Sequence, residues 1–311
     1  MSRTLHADPL WPRAGGWPPL DELGAAGADL VLLGIPTWRT SLSPTGAAAT
    51  PAAVREALRL YAPFVAAGGT GSAVDLLPLR CADAGDVTEP DGADGENRAR
   101  AAVAAAAAGA RVVVVLGGDN AATVPTALGA LGPGLGTAGL VTVDAHHDLR
   151  DGVSNGSPVR RLIAAGLDGH RVVQVGIADF ANSPAYAERA DAAGITVVHR
   201  DELHRRPMAA VMTEALDRAA SGGGGVHVDL DVDVCDRAVA PGCPAALPGG
   251  LAAHELRAAA RAAGAHPAVR SVDLTEVDAT ADAPDGRTVR LVALCVLEVL
   301  AGLATRPAGG R

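Results

Sequence analysis

The chain contains no lysine; all 26 of its basic residues are arginine. Aromatic residues make up only 2% of it. No basic stripe with interleaved aromatics is visible and the net charge is −9, so nucleic acid is not expected as a partner. Cysteine is sparse: Cys81, Cys235, Cys243 and Cys295 are scattered, with no C-x-x-C. That argues against a zinc ribbon and a disulfide framework, and it fits a reducing compartment. No run of about 18 uninterrupted apolar residues exists, so no membrane span is expected. The Ala-rich AAVAAAAAGA segment is too short for one and reads as a helix. The N-terminal MSRTLHADPLWPRAGG lacks an apolar stretch of the secretory type, and a cytoplasmic location is expected. What is present is ordinary for a globular protein: 49% hydrophobic and 20% charged residues over 311 positions, enough to bury a full core. Disordered, collagen-like and small disulfide-stapled chains are excluded.

The Trp/Pro/Gly-rich residues 1–28 read as an irregular arm. From 29 to 305 the pattern is a single domain of alternating strands and helices. Strand-like apolar runs fall at 29–35, 111–117, 140–145, 171–177, 195–199, 226–231 and 269–277. Helix-like segments fall near 95–109, 121–130, 157–166, 184–193, 207–220, 251–264 and 287–303. Another starts at Thr50, read as a cap, with Pro51 at the first helical position. Alternation of this kind implies βαβ units and a mostly parallel sheet covered on both sides, a three-layer α/β/α domain. The glycine-rich pieces 131–139 and 221–225 each lie between a helix and a strand. A phosphate cradle follows a strand and opens a helix, so these read as plain connections.

In an open parallel sheet, ligands bind beyond the carboxyl ends of the strands. Three strands here end in polar clusters. In LVTVDAHHDLR, Asp144, His146 and Asp148 alternate, which in a continuing strand sends all three side chains to one side. His147 then points the other way. In VHVDLDVDVCDR, Asp229, Asp231, Asp233 and Asp236 crowd into eight residues. Carboxylates so close at the end of a buried strand repel one another unless a cation neutralises them. The third, VVVVLGGDN, brings Asp119 and Asn120 after two glycines and alone reads as a turn. The set is rich in carboxylate oxygen, with one imidazole and no thiolate, which suits Mn²⁺ better than structural zinc. So many carboxylates suggest two ions with shared ligands, a centre whose ions, about 3.5–4 Å apart, hold a nucleophilic hydroxide at neutral pH.

These motifs resemble those of the ureohydrolase superfamily of arginases, agmatinases and formimidoylglutamases. Gly117-Gly118-Asp119-Asn120 is similar to its Gly-Gly-Asp-His, Asp144 to Asp148 to its Asp-Ala-His-x-Asp, and Asp229 to Arg237 to its Ser-x-Asp-x-Asp-x-x-Asp-Pro. Asp273-Leu-Thr-Glu276-Val-Asp278 matches a fourth, Asp-x-x-Glu-x-Asn/Asp. The resemblance covers roughly residues 29 to 303. It implies an arginase-like fold with an eight-stranded sheet and two Mn²⁺ ions bridged by Asp144 and Asp231. It gives His146 and Asp233 to one ion. Asp148, with Asn120 at the position of the missing family histidine, goes to the other. It also implies that Asp148 accepts a hydrogen bond from the bridging hydroxide, that Glu276 pairs with a cationic amidine or guanidine group, and that the chain forms a homo-oligomer, a trimer or hexamer.

The sequence departs from the family pattern at Asn120, where an amide is a poorer ligand than imidazole and one ion should bind more weakly. Other departures are Asn155 in place of a proton-shuttling histidine, and Asp229 and Arg237 in place of the Ser and Pro of the third motif. The Asn120 substitution, the Gly34 to Gly46 stretch and Arg150 with Asn155 to Arg160 resemble the formimidoylglutamase branch. Arg150 or Arg160 near the site could form a forked pair with a substrate carboxylate, and N-formimidoyl-L-glutamate has two. The reading is therefore hydrolysis of that amidine to glutamate and formamide. An agmatinase- or arginase-like guanidino hydrolase releasing urea, and a silent family member, stand as the alternatives. His227, interleaved with Val226 and Val228, reads as a core histidine, and His254 as a surface one.

Overall fold

The computed structural model describes residues 8–67 and 72–307. Its strands are β1 (Ala28–Ile35), β2 (Phe64–Val65), β3 (Val74–Asp75), β4 (Cys81–Asp86), β5 (Ala110–Gly117), β6 (Gly139–Val143), β7 (Val172–Ile177), β8 (Thr196–His199), β9 (Val226–Asp231) and β10 (Val269–Thr275). Its helices are α1 (Thr50–Leu58), α2 (Gly92–Ala108), α3 (Thr123–Leu131), α4 (Pro158–Ala164), α5 (Pro184–Ala192), α6 (Arg200–Leu203), α7 (Met208–Ala219), α8 (Ala253–Ala265) and α9 (Arg287–Leu303). Eight strands form one sheet in the order β4-β1-β5-β10-β9-β6-β7-β8, and β2 and β3 make a small antiparallel pair. Every pairing in the large sheet is parallel, so it is wholly rather than mostly parallel.

The central strands are buried because both faces are covered. Leu30, Leu32, Val112, Val114, Val228, Leu230, Val272 and Leu274 point to one face, where residues of α1, α7, α8 and α9 join them in one large cluster. Val31, Leu33, Val113 and Val115 point the other way, onto Ala99, Val103 and Ala106 of α2. Those three α2 positions recur at helical spacing, so an alanine-rich helix still presents one packing stripe. A further cluster on this second face joins α3, α4 and α5 to β6 and β7. Fully burying one Val or Leu side chain contributes roughly 1.5–3 kcal/mol.

Between the two clusters of the second face runs a polar stripe. His227, Asp229 and Asp231 on β9 and Ser271, Asp273 and Thr275 on β10 are all buried. They alternate with the apolar residues that serve the first face. α3 lies over both strands and contributes the buried Thr123 and Thr126.

Several expectations are corrected. Strand β6 ends at Val143, before the Asp144–His146–Asp148 cluster. Those residues lie on a loop, in which Asp148 takes a left-handed φ of 53°. Thr50 is the first residue of α1 rather than its cap. Its hydroxyl donates to the Val277 carbonyl and accepts from the Ala279 amide, which ties α1 to the segment after β10. The edge strand β4 and the short helix α6 have no counterpart in the sequence reading. The arm contains a 3-10 helix at Leu20–Ala26 and packs on its own chain, through Ala14 N to Tyr61 O and Asp83 N to Pro18 O. Among the described residues no helix is long and apolar enough to cross a membrane.

Candidate metal centre

The four strands β5, β10, β9 and β6 are consecutive in the sheet, and each carries a candidate residue just beyond its carboxyl end. Leu116 pairs with Leu274, Leu274 with Leu230 and Leu230 with Val143, so the four ends are level. That register is what gathers Asn120, Glu276, Asp233 and Asp144 from distant parts of the chain. Gly118 is required where β5 turns: a Cβ there would lie 2.0 Å from the Thr37 carbonyl oxygen.

Local hydrogen bonds fix the carboxylates. Asp144 Oδ1 accepts from the His146 amide at 2.7 Å, and Asp231 Oδ1 from the Asp233 amide at 2.9 Å. His146 Nδ1 is 3.1 Å from Asp233 Oδ2 and 3.4 Å from Asp144 Oδ1. Two groups of ligand atoms, each within 4.8 Å of one another, could each hold an ion: Asp144, His146 and Asp233; and Asp144, Asp148 and Asp231. Asp144 is common to both. Asp144 Oδ2 and Asp233 Oδ1 are buried with no hydrogen-bond partner. Buried unpaired carboxylate oxygens are costly, and a divalent cation among them removes that cost.

The proton affinities express the same frustration. Burial, then repulsion from Asp144, holds the Asp148 carboxyl well above its usual range. Burial, then Asp233 and Asp144, does the same to Asp231. Asp144 is pushed up to about 6 by burial. Burial opposes charging His146, but the facing Asp233 and Asp144 outweigh it and raise the imidazole to about 12.

Asn120 is buried beside these groups. Its Nδ2 donates to Asp148 Oδ2 at 2.7 Å and Asp231 Oδ2 at 3.1 Å, while its Oδ1 accepts from the Thr123 and Thr275 hydroxyls. The amide nitrogen therefore faces the carboxylates. Glu276, at a left-handed φ of 61°, directs Oε1 at two donors, Asn120 N at 2.8 Å and Asn155 Nδ2 at 2.7 Å. Burial, then the charges of Asp119 and Asp233, lifts this carboxyl to about 8. Left-handed backbone at a non-glycine residue is strained, and it persists here where it aims a candidate side chain at the cleft.

A cleft of about 530 Å³ opens over the group, with His146, Asp148, Asp231, Asp233 and Glu276 among its lining residues. Arg150 lines it as well, its guanidinium 5.8 Å from the Tyr186 ring centroid. Asn155 is at the cleft too, but both ends of its amide are engaged, Nδ2 by Glu276 and Oδ1 by the Leu42 amide. Arg160 is not among the lining residues. It donates to the Arg150 and Gly152 carbonyls and so braces the loop that carries Arg150. The sequence reading missed Phe180, Asn182 and Tyr186, which also line the cleft. They follow β7, the neighbour of β6, so their place in the sheet order is the signal that could have found them.

The remaining candidates from the sequence lie outside both ligand groups. Asp236 is half-buried and held below its usual range by the Ala238 and Gly249 amides. His147 is buried against Gln174, Nδ1 to Oε1 at 2.7 Å. His227 is fully buried, 2.9 Å from Ser271 Oγ and 3.3 Å from Asp273 Oδ2. His254 is exposed on α8.

Comparison with known proteins gives the same frame. Residues 28–302 match the model of the arginase family. The formimidoylglutamase of Halalkalibacterium halodurans is 32% identical over 287 residues, 89% of this chain and 88% of that protein. The crystal structure of the Bacillus subtilis formimidoylglutamase superposes with a TM-score of 0.88 at 27% identity, covering 99% of this chain and 96% of that one. A Trypanosoma cruzi formiminoglutamase crystallised with Mn²⁺ gives a TM-score of 0.81 at 26% identity, over 95% of this chain and 99% of that one.

Proposed function

Because the chain belongs to the arginase family, we propose that it is a manganese-dependent hydrolase that cleaves N-formimidoyl-L-glutamate to L-glutamate and formamide. The observation that carries this reading is the pair of overlapping ligand groups at the cleft, sharing Asp144, with Glu276 held beside them. In the proposal, His146 and Asp233 complete one ion's site with Asp144. Asp148 completes the other with Asp144 and Asp231, and Asn120 lies next to it. The oxygen-rich donor set with a single imidazole fits Mn²⁺. Bound there, a divalent pair supplies an acidified water as nucleophile and Lewis acidity at neutral pH.

The chain's own groups do the rest. The formimidoyl group is an amidine and is cationic when protonated. Glu276, fixed by two N–H donors, offers it a carboxylate and orients the carbon toward the metal-facing side of the cleft. Asp148 takes a proton from the attacking water. As the C–N bond breaks, the same carboxyl returns a proton to the departing glutamate nitrogen, which supplies the acid that Asn155 cannot. Arg150 lines the cleft with a planar guanidinium, suited to a forked pair with a substrate carboxylate. That choice favours formimidoylglutamate over agmatine, whose second group is a cation. Relatives that carry the formimidoylglutamase name along most of their length support the same substrate.

The test is product analysis with Mn²⁺-loaded protein. Formamide and glutamate from N-formimidoyl-L-glutamate support the proposal, and urea from agmatine or arginine contradicts its substrate.

A further inference from the structure

We propose that Asp229 is a positioning residue which, through the Thr275 hydroxyl, determines whether Asn120 can serve the ion held between Asp144, Asp148 and Asp231. The inference rests on the metal-dependent reading above. Asp229 is 1% exposed and lies on β9 two residues before Asp231, in the polar stripe under α3. It belongs to neither group of potential ligand atoms. Its Oδ1 is 3.3 Å from Thr275 Oγ1 and its Oδ2 is 3.5 Å from Asn120 Nδ2. The two motif positions at which histidine and serine are replaced, Asn120 and Asp229, are thus spatial neighbours.

The argument turns on the amide. Asn120 presents Nδ2 to Asp148 and Asp231. An amide nitrogen has no lone pair to give a cation, whereas an amide oxygen does. Serving an ion there requires the amide to turn over, so that Oδ1 faces the carboxylates and Nδ2 faces Thr123 and Thr275. A threonine hydroxyl has one proton and two lone pairs, so it can donate to Oδ1 in one state and accept from Nδ2 in the other. Thr275 can accept only when its own proton is taken elsewhere. Asp229 Oδ1 is the acceptor within reach. The buried carboxylate therefore lets the turned amide keep its hydrogen bond with Thr275 instead of leaving that donor orphaned in the dry interior. Groups that orient metal ligands from behind in this way typically govern affinity by about 10–100-fold.

The test reads metal content and affinity rather than turnover. Mn²⁺ stoichiometry is measured by equilibrium dialysis with elemental analysis. The weaker ion's dissociation constant is measured by competition with a chelating indicator. Wild type is expected to hold two ions. Asp229→Leu, which removes the acceptor, and Thr275→Val should keep one and weaken the other by about tenfold or more. Thr275→Ser, which keeps the hydroxyl, should bind as wild type. Asn120→His in the Asp229→Leu background should regain the second ion, because an imidazole needs no amide turn. Circular dichroism confirms folding, and if Asp229→Leu misfolds, the Thr275→Val and Thr275→Ser pair decides alone. Two ions at wild-type affinity in Thr275→Val, or in a folded Asp229→Leu, would overturn the proposal. A wild-type chain that binds no Mn²⁺ overturns the metal reading itself, and that failure shows before any variant is made.

Discussion

The backbone N–H of Asn120 donates to Glu276 Oε1 at 2.8 Å. The same residue's side chain reaches Asp148 and Asp231. One residue after β5 thus joins the acid proposed to meet the substrate to the carboxylates proposed to hold metal. The link exists because β5 and β10 are neighbours in the sheet, and the Glu276 amide also bonds back to the Gly118 carbonyl.

Glu276→Gln should lower kcat/KM by about 100-fold or more while leaving Mn²⁺ stoichiometry intact, because the carboxylate is assigned to the substrate's cation. Asn155→Ala should cost less, about tenfold, since the Asn120 amide still holds Oε1. Steady-state kinetics with parallel metal analysis checks both. An Asn155→Ala loss as large as that of Glu276→Gln would mean that Asn155 does more than hold the carboxylate.

Arg150→Ala should raise KM for N-formimidoyl-L-glutamate about tenfold or more, and Arg150→Lys should restore only part of it, because a single ammonium cannot form the forked pair. Arg160→Ala should act mainly by loosening the 150–152 loop, through its two carbonyl contacts. Its KM effect is therefore expected to be smaller. Equal effects of the two alanine variants would contradict the placement of Arg150 alone at the cleft.

Metal content separates the ligands. Asp144 is common to both groups, so Asp144→Ala should lose both ions, while His146→Ala should lose one. Elemental analysis after dialysis gives the count, and retention of two ions by Asp144→Ala would sink the shared-ligand assignment.

Stability of the metal-free chain should fall as pH rises. Glu276 is lifted from 4.5 to about 8, and Asp148 and Asp231 are also raised, by burial first and by like charges second. A carboxyl with a raised native pKa binds more protons in the folded state than in the unfolded one. Its contribution is present below the ordinary carboxylate range and is lost as pH climbs through the native pKa. In chelator, Tm should be lower at pH 8 than at pH 6. Mn²⁺ should shrink that difference, because cations replace protons as the neutralising charge. A chelated protein whose Tm rises over the same interval would contradict it.

Much of this was legible in the sequence. Long runs of β-branched residues marked the central strands, and 226–231 came out at its observed bounds. Edge strand β4 escaped because Cys81-Ala-Asp-Ala-Gly-Asp86 has no β-branched residue and its last three positions are exposed. Asp144 lies beside both His146 and Asp148, but a turned loop gathers them, not the strand alternation read from the sequence. Thr50 looked like a cap because composition cannot show that its hydroxyl is taken by Val277, 227 residues away. The stripe from His227 to Thr275 and the cleft residues Phe180, Asn182 and Tyr186 depend on which strands become neighbours. No local pattern encodes that.

The central claim is tested most directly by product analysis of Mn²⁺-loaded protein with N-formimidoyl-L-glutamate, beside the Asp144→Ala variant. The account predicts formamide and glutamate in equal amounts from the wild type and none from the variant. No turnover by a wild type shown to hold two Mn²⁺ ions, or urea from a guanidino substrate instead, would contradict it.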